Sequence, residues 1–144
     1  MNSSYSNVVS RTVLLACALA AATWSLGLSS PATVAAQSED AARMTNPVAS
    51  TPASIAAGKA LFDKQCVSCH GPTGKGDGKS AAQLNPKPSD LTDATWNHGS
   101  SDGEIFTLIK DGSKNTAMRG FASRMTPQEM WNVVNYLRTL SPSP

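Results

Sequence analysis

The sequence predicts an all-α fold, on three observations. Three stretches place apolar residues at the spacing of one helix face. Two of them open on Ser/Thr-x-x-Glu patterns, Ser101 to Glu104 and Thr126 to Glu129, which read as helix starts. No stretch alternates apolar and polar residues as a half-buried strand would. The 144 residues amount to one domain with an added front segment.

Residues 1–11 are polar, with Arg11 the single charge, and Thr12 to Leu28 is an uncharged apolar run of 17 residues. Ser29-Ser30-Pro31 interrupts the run, and small residues follow, with Val34 and Ala36 placed as in a cleavage site before Gln37. That order is a secretory signal peptide over 1–36, which predicts a periplasmic protein cleaved after Ala36. The alternative is a retained anchor, since 17 residues lies at the lower edge of a bilayer span. A membrane enters the reading only in that case. Cys17 falls inside the run with too little apolar sequence before it for a lipid-bearing leader. Cleavage leaves eleven basic and ten acidic residues, a near-neutral balance that gives no reason to expect nucleic acid.

Residues 37–53 hold small and polar residues and two prolines without apolar periodicity, and read as a flexible linker. The domain is expected over 54–141. Its first helix is expected to start at Ser54, a capping residue, with Ile55, Gly58, Leu61 and Phe62 on one face. A glycine inside a helix costs about 1 kcal/mol relative to alanine. Gly58 therefore signals either a close crossing by another element or a tolerated surface glycine. The next helix is expected from Ser101, with Ile105, Leu108 and Ile109 on its apolar face and a stop at Gly112. The last runs from Thr126, with Pro127 at the favoured first position. Met130, Val133, Val134, Leu137 and Leu140 follow at helical spacing.

The first of these helices delivers the chain to Cys66-Val67-Ser68-Cys69-His70. Two thiols three residues apart with a histidine directly after form the attachment signature of c-type haem. Each thiol can add to one haem vinyl group, and the adjacent imidazole can reach the iron. Other uses of paired thiols fit less well. A dithiol redox pair needs a βαβ setting. A zinc site needs two more ligands, yet His98 is the only other histidine and no second cysteine pair exists. A disulfide here would close too small a loop to stabilise much. With Cys17 in the leader, Cys66 and Cys69 are both committed to one haem c.

Gly71 to Ser80 ends in Gly78-Lys79-Ser80, but a phosphate loop would need glycine where Thr73 stands, and a preceding strand. The stretch is expected as a mobile, turn-rich loop at the haem edge. Leu84 to Leu91 carries Pro86 and Pro88, which rule out a regular helix. It is expected to lie extended against the haem, with a carbonyl near Pro86 or Pro88 accepting the His70 Nδ1–H. Simple stiffening of the loop is the equal alternative.

The second axial ligand is sought among methionines, because a thioether favours ferrous iron and suits an electron carrier. Met44 lies in the linker and Met130 at core spacing. Met118, in the loop from Lys114 to Phe121, is the first choice, with Met125 in reserve. His98 is the rival donor and reads better as a surface or supporting histidine. An iron with none of these bound would suit a haem enzyme or gas-binding sensor with an open or labile sixth position.

These motifs together resemble class I c-type cytochromes of the monohaem, bacterial periplasmic type, over about Ser54 to Leu140. The resemblance rests on Gly58 and Phe62 before the motif, Pro88, the helix end at Ile109 to Gly112, Met118-Arg119-Gly120-Phe121, and the Trp131 to Leu140 helix. It implies the small cytochrome c fold, wrapped around one covalently attached haem. In that fold the first and last helices cross, here with Gly58 and Phe62 against Tyr136 in preference to Trp131. The resemblance also suggests that Trp96 donates to a haem propionate, with core packing the alternative. Many relatives carry proline directly after the ligand methionine, whereas position 119 is arginine. The implied function is single-electron transfer with His70 and Met118 on the iron and no catalytic residue. Partners would be a dehydrogenase, an oxidase or another cytochrome, and the domain would act alone or as the cytochrome subunit of a larger oxidoreductase. From Gly71 to Met125 seven basic residues stand against six acidic ones, so composition leaves the partner's polarity open.

Overall fold

The computed structural model describes residues 39–141 except 95 and 97. The leader expected over 1–36 lies outside them. Four helices form the domain: α1 (Pro52–Gln65), α2 (Val67–His70), α3 (Asp102–Asp111) and α4 (Pro127–Leu137), with a 3-10 turn at Ala81–Gln83. Helical backbone also occurs at 39–43. Among the described residues there is no strand beyond an isolated antiparallel bridge between Gly112 and Arg119. No helix among them is long and apolar enough to cross a membrane.

α1 starts earlier than its apolar face suggests. Thr51 is the N-cap, accepting from the Ser54 N–H at 3.2 Å, while the Ser54 hydroxyl accepts from the Thr51 N–H at 2.9 Å. Ser54 thus fills the third helical position of a capping box, and Pro52 takes the favoured first turn. α3 and α4 start at the expected boxes, Ser101 with Glu104 and Thr126 with Glu129. α3 stops at Gly112, whose φ of 81° lies in the left-handed region. α4 closes at Leu137, ahead of the end of its apolar pattern, and residues 138–140 continue as turns.

The frame is the crossing of α1 and α4. A Cβ on Gly58 would sit 1.9 Å from the Asn132 carbonyl oxygen, so the two backbones touch there and only glycine fits. One turn on, Phe62 is buried with its ring centroid 5.2 Å from that of Tyr136. Trp131 faces the other way and stacks on Phe106 of α3 at 4.1 Å. Val133, Val134 and Leu137 of α4 share one core with Ile105 and Ile109 of α3. Each side chain of this size, fully buried, contributes about 1.5–3 kcal/mol.

The segment ahead of α1, read from composition as a flexible linker, is tied to this frame. Ala41 is buried against the start of α3, where a Cβ on Gly103 would lie 2.1 Å from the Ala41 carbonyl oxygen. Asn46 Nδ2 donates to Asn135 Oδ1 at 2.8 Å. Asn135 Nδ2 lies within reach of Val48 O (3.2 Å), Ala49 O (3.3 Å) and Ser54 Oγ (3.1 Å). Asn135 is itself buried, so these bonds satisfy an amide that would otherwise be costly inside the core. Arg138, at the end of α4, donates through Nε to Asp102 Oδ1 at 2.7 Å and through its terminal nitrogen to the Ser100 carbonyl. That fork joins the end of α4 to the start of α3.

Candidate functional site

α1 and α2 meet at Cys66. Its N–H donates to Phe62 O at 2.8 Å, closing α1, and its carbonyl accepts from Cys69 N–H (3.1 Å) and His70 N–H (2.9 Å), opening α2. One turn of helix thereby turns both cysteines and the histidine toward a single cavity of about 410 Å³. That volume is within the ~300–1,000 Å³ of cofactor sites. Its floor is Ile105, Leu108 and Ile109 of α3 with Leu137 of α4; its walls are 84–91 and 113–124. Neither thiol is in a disulfide.

Three consequences follow for the motif's own chemistry. Burial pushes the Cys66 thiol up to about 11, with the neighbouring Cys69 adding to the effect. Burial lowers His70 below its ordinary value of 6.5, and the Ser89 carbonyl partly offsets that. His70 is therefore neutral at pH 7, with Nδ1 facing Ser89 O at 3.2 Å as donor, which leaves the Nε2 lone pair to bind a metal.

The acceptor expected near Pro86 or Pro88 is the carbonyl of Ser89, the residue after Pro88. The glycine-rich loop explains how it reaches the ring. Gly76 N–H donates to His70 O (2.8 Å), Gly78 N–H to Cys69 O (3.1 Å) and Ser80 N–H to Ser68 O (2.8 Å). These bonds satisfy the last carbonyls of α2. A Cβ on Gly76, whose φ is 72°, would lie 2.4 Å from Pro88 O, and Leu91 N–H donates to Gly74 O at 2.7 Å. The loop thus draws the 86–91 segment against His70. It is pinned, and it lies behind the motif, where Pro72, Asp77 and Lys79 line a separate hollow with Asp63 and Lys64. The expected turn-rich loop is present, and its backbone bonds tie it to α2 and to the 86–91 segment.

Of the other candidates, Met118, Pro88, Trp96 and His98 all line the main cavity. Met125 belongs to the core beneath, 6% exposed, and is not among the wall residues. Met118 is held by a polar clasp. The Thr116 hydroxyl donates to Ser113 O at 2.9 Å and accepts from Met118 N–H at 3.1 Å, while Ser113 N–H donates to Met118 O at 2.9 Å. Phe121 N–H donates to Ile109 O at 3.0 Å, pinning the loop to the end of α3. Gly112 and Gly120 permit the approach, since a Cβ on either would lie under 3 Å from backbone of the other strand of the loop. Trp96 donates its indole N–H to Asp93 O at 2.9 Å. Sequence reasoning placed the acceptor near Pro88 without naming Ser89, which acts through its backbone, and missed Thr116, whose only signal is a Ser-x-x-Thr turn.

The residues present fit a metal carried inside a cofactor. Among the described residues no group of three or more His, Cys, Asp or Glu is placed to hold an ion, which a protein-only zinc site requires. An apolar cavity with two thiols and a neutral imidazole on one side suits a large, flat, covalently attached group.

Comparison with known proteins is consistent with that geometry. The family model for Cytochrome c matches residues 55–141. Cytochrome c-554(547) of Halothiobacillus neapolitanus is 34% identical over 91 residues, 59% of this chain and 94% of that protein. The Cbb3-type cytochrome c oxidase subunit CcoP of Rubrivivax gelatinosus is 32% identical over 97 residues, 67% of this chain, which spans only 29% of that subunit. A chain of the reducing HAO-like protein complex of Kuenenia stuttgartiensis superposes with a TM-score of 0.62 at 30% identity, covering 66% of this chain and 47% of that one.

Proposed function

The chain belongs to the cytochrome c family, and from that premise we propose a single-electron carrier with one haem c ligated by His70 and Met118. Family membership carries with it covalently bound haem c, the all-α cytochrome c fold and haem-based electron transfer. When bound, haem c supplies an iron that stores and releases one electron. Cys66 and Cys69 would hold it through thioethers, and His70, kept in orientation by Ser89 O, would bind its iron through Nε2.

The observation that carries the Met118 assignment is the division of the two methionines. Met118 shares one cavity with Cys66, Cys69 and His70, while Met125 is packed in the core. The Thr116 clasp presets the Met118 backbone, which lowers the ordering cost of holding a soft ligand there. With His70 and Met118 both on the iron, no position would be left for a substrate, which supports a carrier over an enzyme.

Replacing Met118 by leucine keeps the volume and removes the sulfur. The oxidised holoprotein should lose its thioether–iron charge-transfer band in Met118→Leu and keep it in Met125→Leu. A high-spin wild-type spectrum with ready CO binding would replace this reading with an open-site enzyme or gas sensor. Export to the periplasm with cleavage after Ala36 belongs to the same proposal, and N-terminal sequencing of the mature protein tests it. The names of the relatives, an oxidase subunit and a member of a reducing complex, support a redox protein as partner. A dehydrogenase, an oxidase or another cytochrome would each serve.

A further inference from the structure

Arg138, Leu140 and Ser141, which follow α4, each reach a different point of one cavity wall. Arg138 holds Ser100 O and Asp102 Oδ1. Ser141 donates its hydroxyl to Asp93 O at 2.7 Å. A Cβ on Gly74 would lie 2.9 Å from Leu140 Cδ1 and 3.4 Å from Leu91 Cβ, so both leucines close on that glycine. Between these anchors lie Trp96, His98 and Gly99, which line the cavity as Leu91 does. Backbone bonds inside this wall are long. Trp96 N–H lies 3.4 Å from Ser100 Oγ, and Gly99 N–H lies 3.3 Å from Trp96 O, beyond the usual 2.9–3.0 Å. The shorter indole bond of Trp96 ends on Asp93 O, the carbonyl that Ser141 holds. The turn itself is fixed to the frame. Arg138 N–H donates to Val134 O at 3.1 Å, Thr139 N–H to Tyr136 O at 2.9 Å and Leu140 N–H to Leu137 O at 3.0 Å.

We propose that the turn at 138–141 is a clasp that sets the Trp96, His98 and Gly99 wall against the haem and keeps water from it. Arg138 and Ser141 are its positioning residues: neither lines the cavity, and each acts through the wall segment that it holds. This rests on the haem reading of the cavity and adds which residues control how dry the cavity is. Burial is one of the levers on a haem potential. Water favours the more highly charged ferric state, so a loosened wall lowers the midpoint potential. The planar guanidinium of Arg138 serves two acceptors at once, which makes it the stronger of the two anchors.

Hydrogen exchange of the holoprotein, read by mass spectrometry on peptides spanning 93–100, tests the clasp together with the midpoint potential. In R138Q and in S141A, exchange across 93–100 should run about tenfold faster than in wild type, with α4 unchanged. The potential should fall in both, although S141A leaves the net charge as it was. K59Q removes one charge and breaks the Lys59–Asp63 ion pair on α1, and should leave both readouts as in wild type. Unchanged exchange or an unchanged potential in either variant overturns the proposal, and so does an equal change in K59Q. Acceleration that extends equally through α4 would make the turn a general stabiliser and overturns it too. A haem stain of denatured wild type separates the two levels of argument. Absence of covalent haem sinks the reading of the cavity, whereas bound haem with unchanged exchange in the variants sinks only the clasp.

Discussion

At the crossing of α1 and α4, Phe62, Val133 and Val134 are at most 2% exposed and the backbones touch at Gly58. Across the cavity, Met118 is half-buried, and its loop takes its shape from the Thr116 hydroxyl and two glycines. One region is held by buried apolar area, which scales with the carbon removed from water. The other is held by a few polar bonds, each with a net worth of about 0.5–1.5 kcal/mol. The helical frame can therefore stay rigid while the loop wall retains freedom to adjust its methionine, and damage to each should be read by a different instrument.

The largest expected effect is on the frame. Phe62→Ala should cost about 4 kcal/mol, because it opens a cavity beside Tyr136 that α4 cannot refill. Denaturant unfolding of the holoprotein checks this, and a cost below about 1 kcal/mol would break the claim that apolar packing carries the crossing. Asn135→Ala comes next, at about 2 kcal/mol, since it removes a buried amide that bonds Asn46, the Val48 and Ala49 carbonyls and Ser54. Its loss should appear as faster amide exchange around 46–54 before global unfolding.

Thr116→Val should cost only about 1 kcal/mol of stability. Its sharper effect is expected on the loop wall, as a weaker charge-transfer band and a shifted midpoint potential. A variant with reduced stability but an unchanged band would show that the clasp has no part in presenting Met118.

The smallest effect is the acid response of the helix starts. Hydrogen bonds from the Ser101 N–H and hydroxyl hold Glu104 below its ordinary 4.5, and the Thr126 pair does the same for Glu129. A carboxylate lowered by folding stabilises above its unfolded value and ceases to as pH falls through the folded one. Thermal midpoints should therefore begin to fall as pH drops below about 4.5, and Glu104→Gln should flatten part of that slope. An unchanged slope in the variant would remove Glu104 from the account.

The same contrast explains what could be read from sequence. Cys66 to His70, the boxes at Ser101 and Thr126, and Gly58 each carry a local pattern, and each lies where its pattern implies. The Asn46–Asn135 tie spans 89 residues and uses one amide on each side, so it leaves no periodicity and the segment resembled a linker. Ser89 acts through its carbonyl, which any residue type would supply. The loop from Gly71 to Ser80 has the composition of a mobile turn, yet its glycines serve close backbone approach to α2 and Pro88. In each case the determinant is a backbone atom or a distant polar partner, which side-chain patterns do not encode.

The central claim is that one cavity joins His70 to Met118 and leaves Met125 in the core. Near-infrared and visible spectra of oxidised Met118→Leu and Met125→Leu holoproteins test it most directly, since a Met-to-Leu change in a packed site costs under about 1.5 kcal/mol and both should fold. The account predicts that the thioether–iron band disappears in Met118→Leu and persists in Met125→Leu. A band that survives loss of the Met118 sulfur, or that vanishes with Met125, would contradict it.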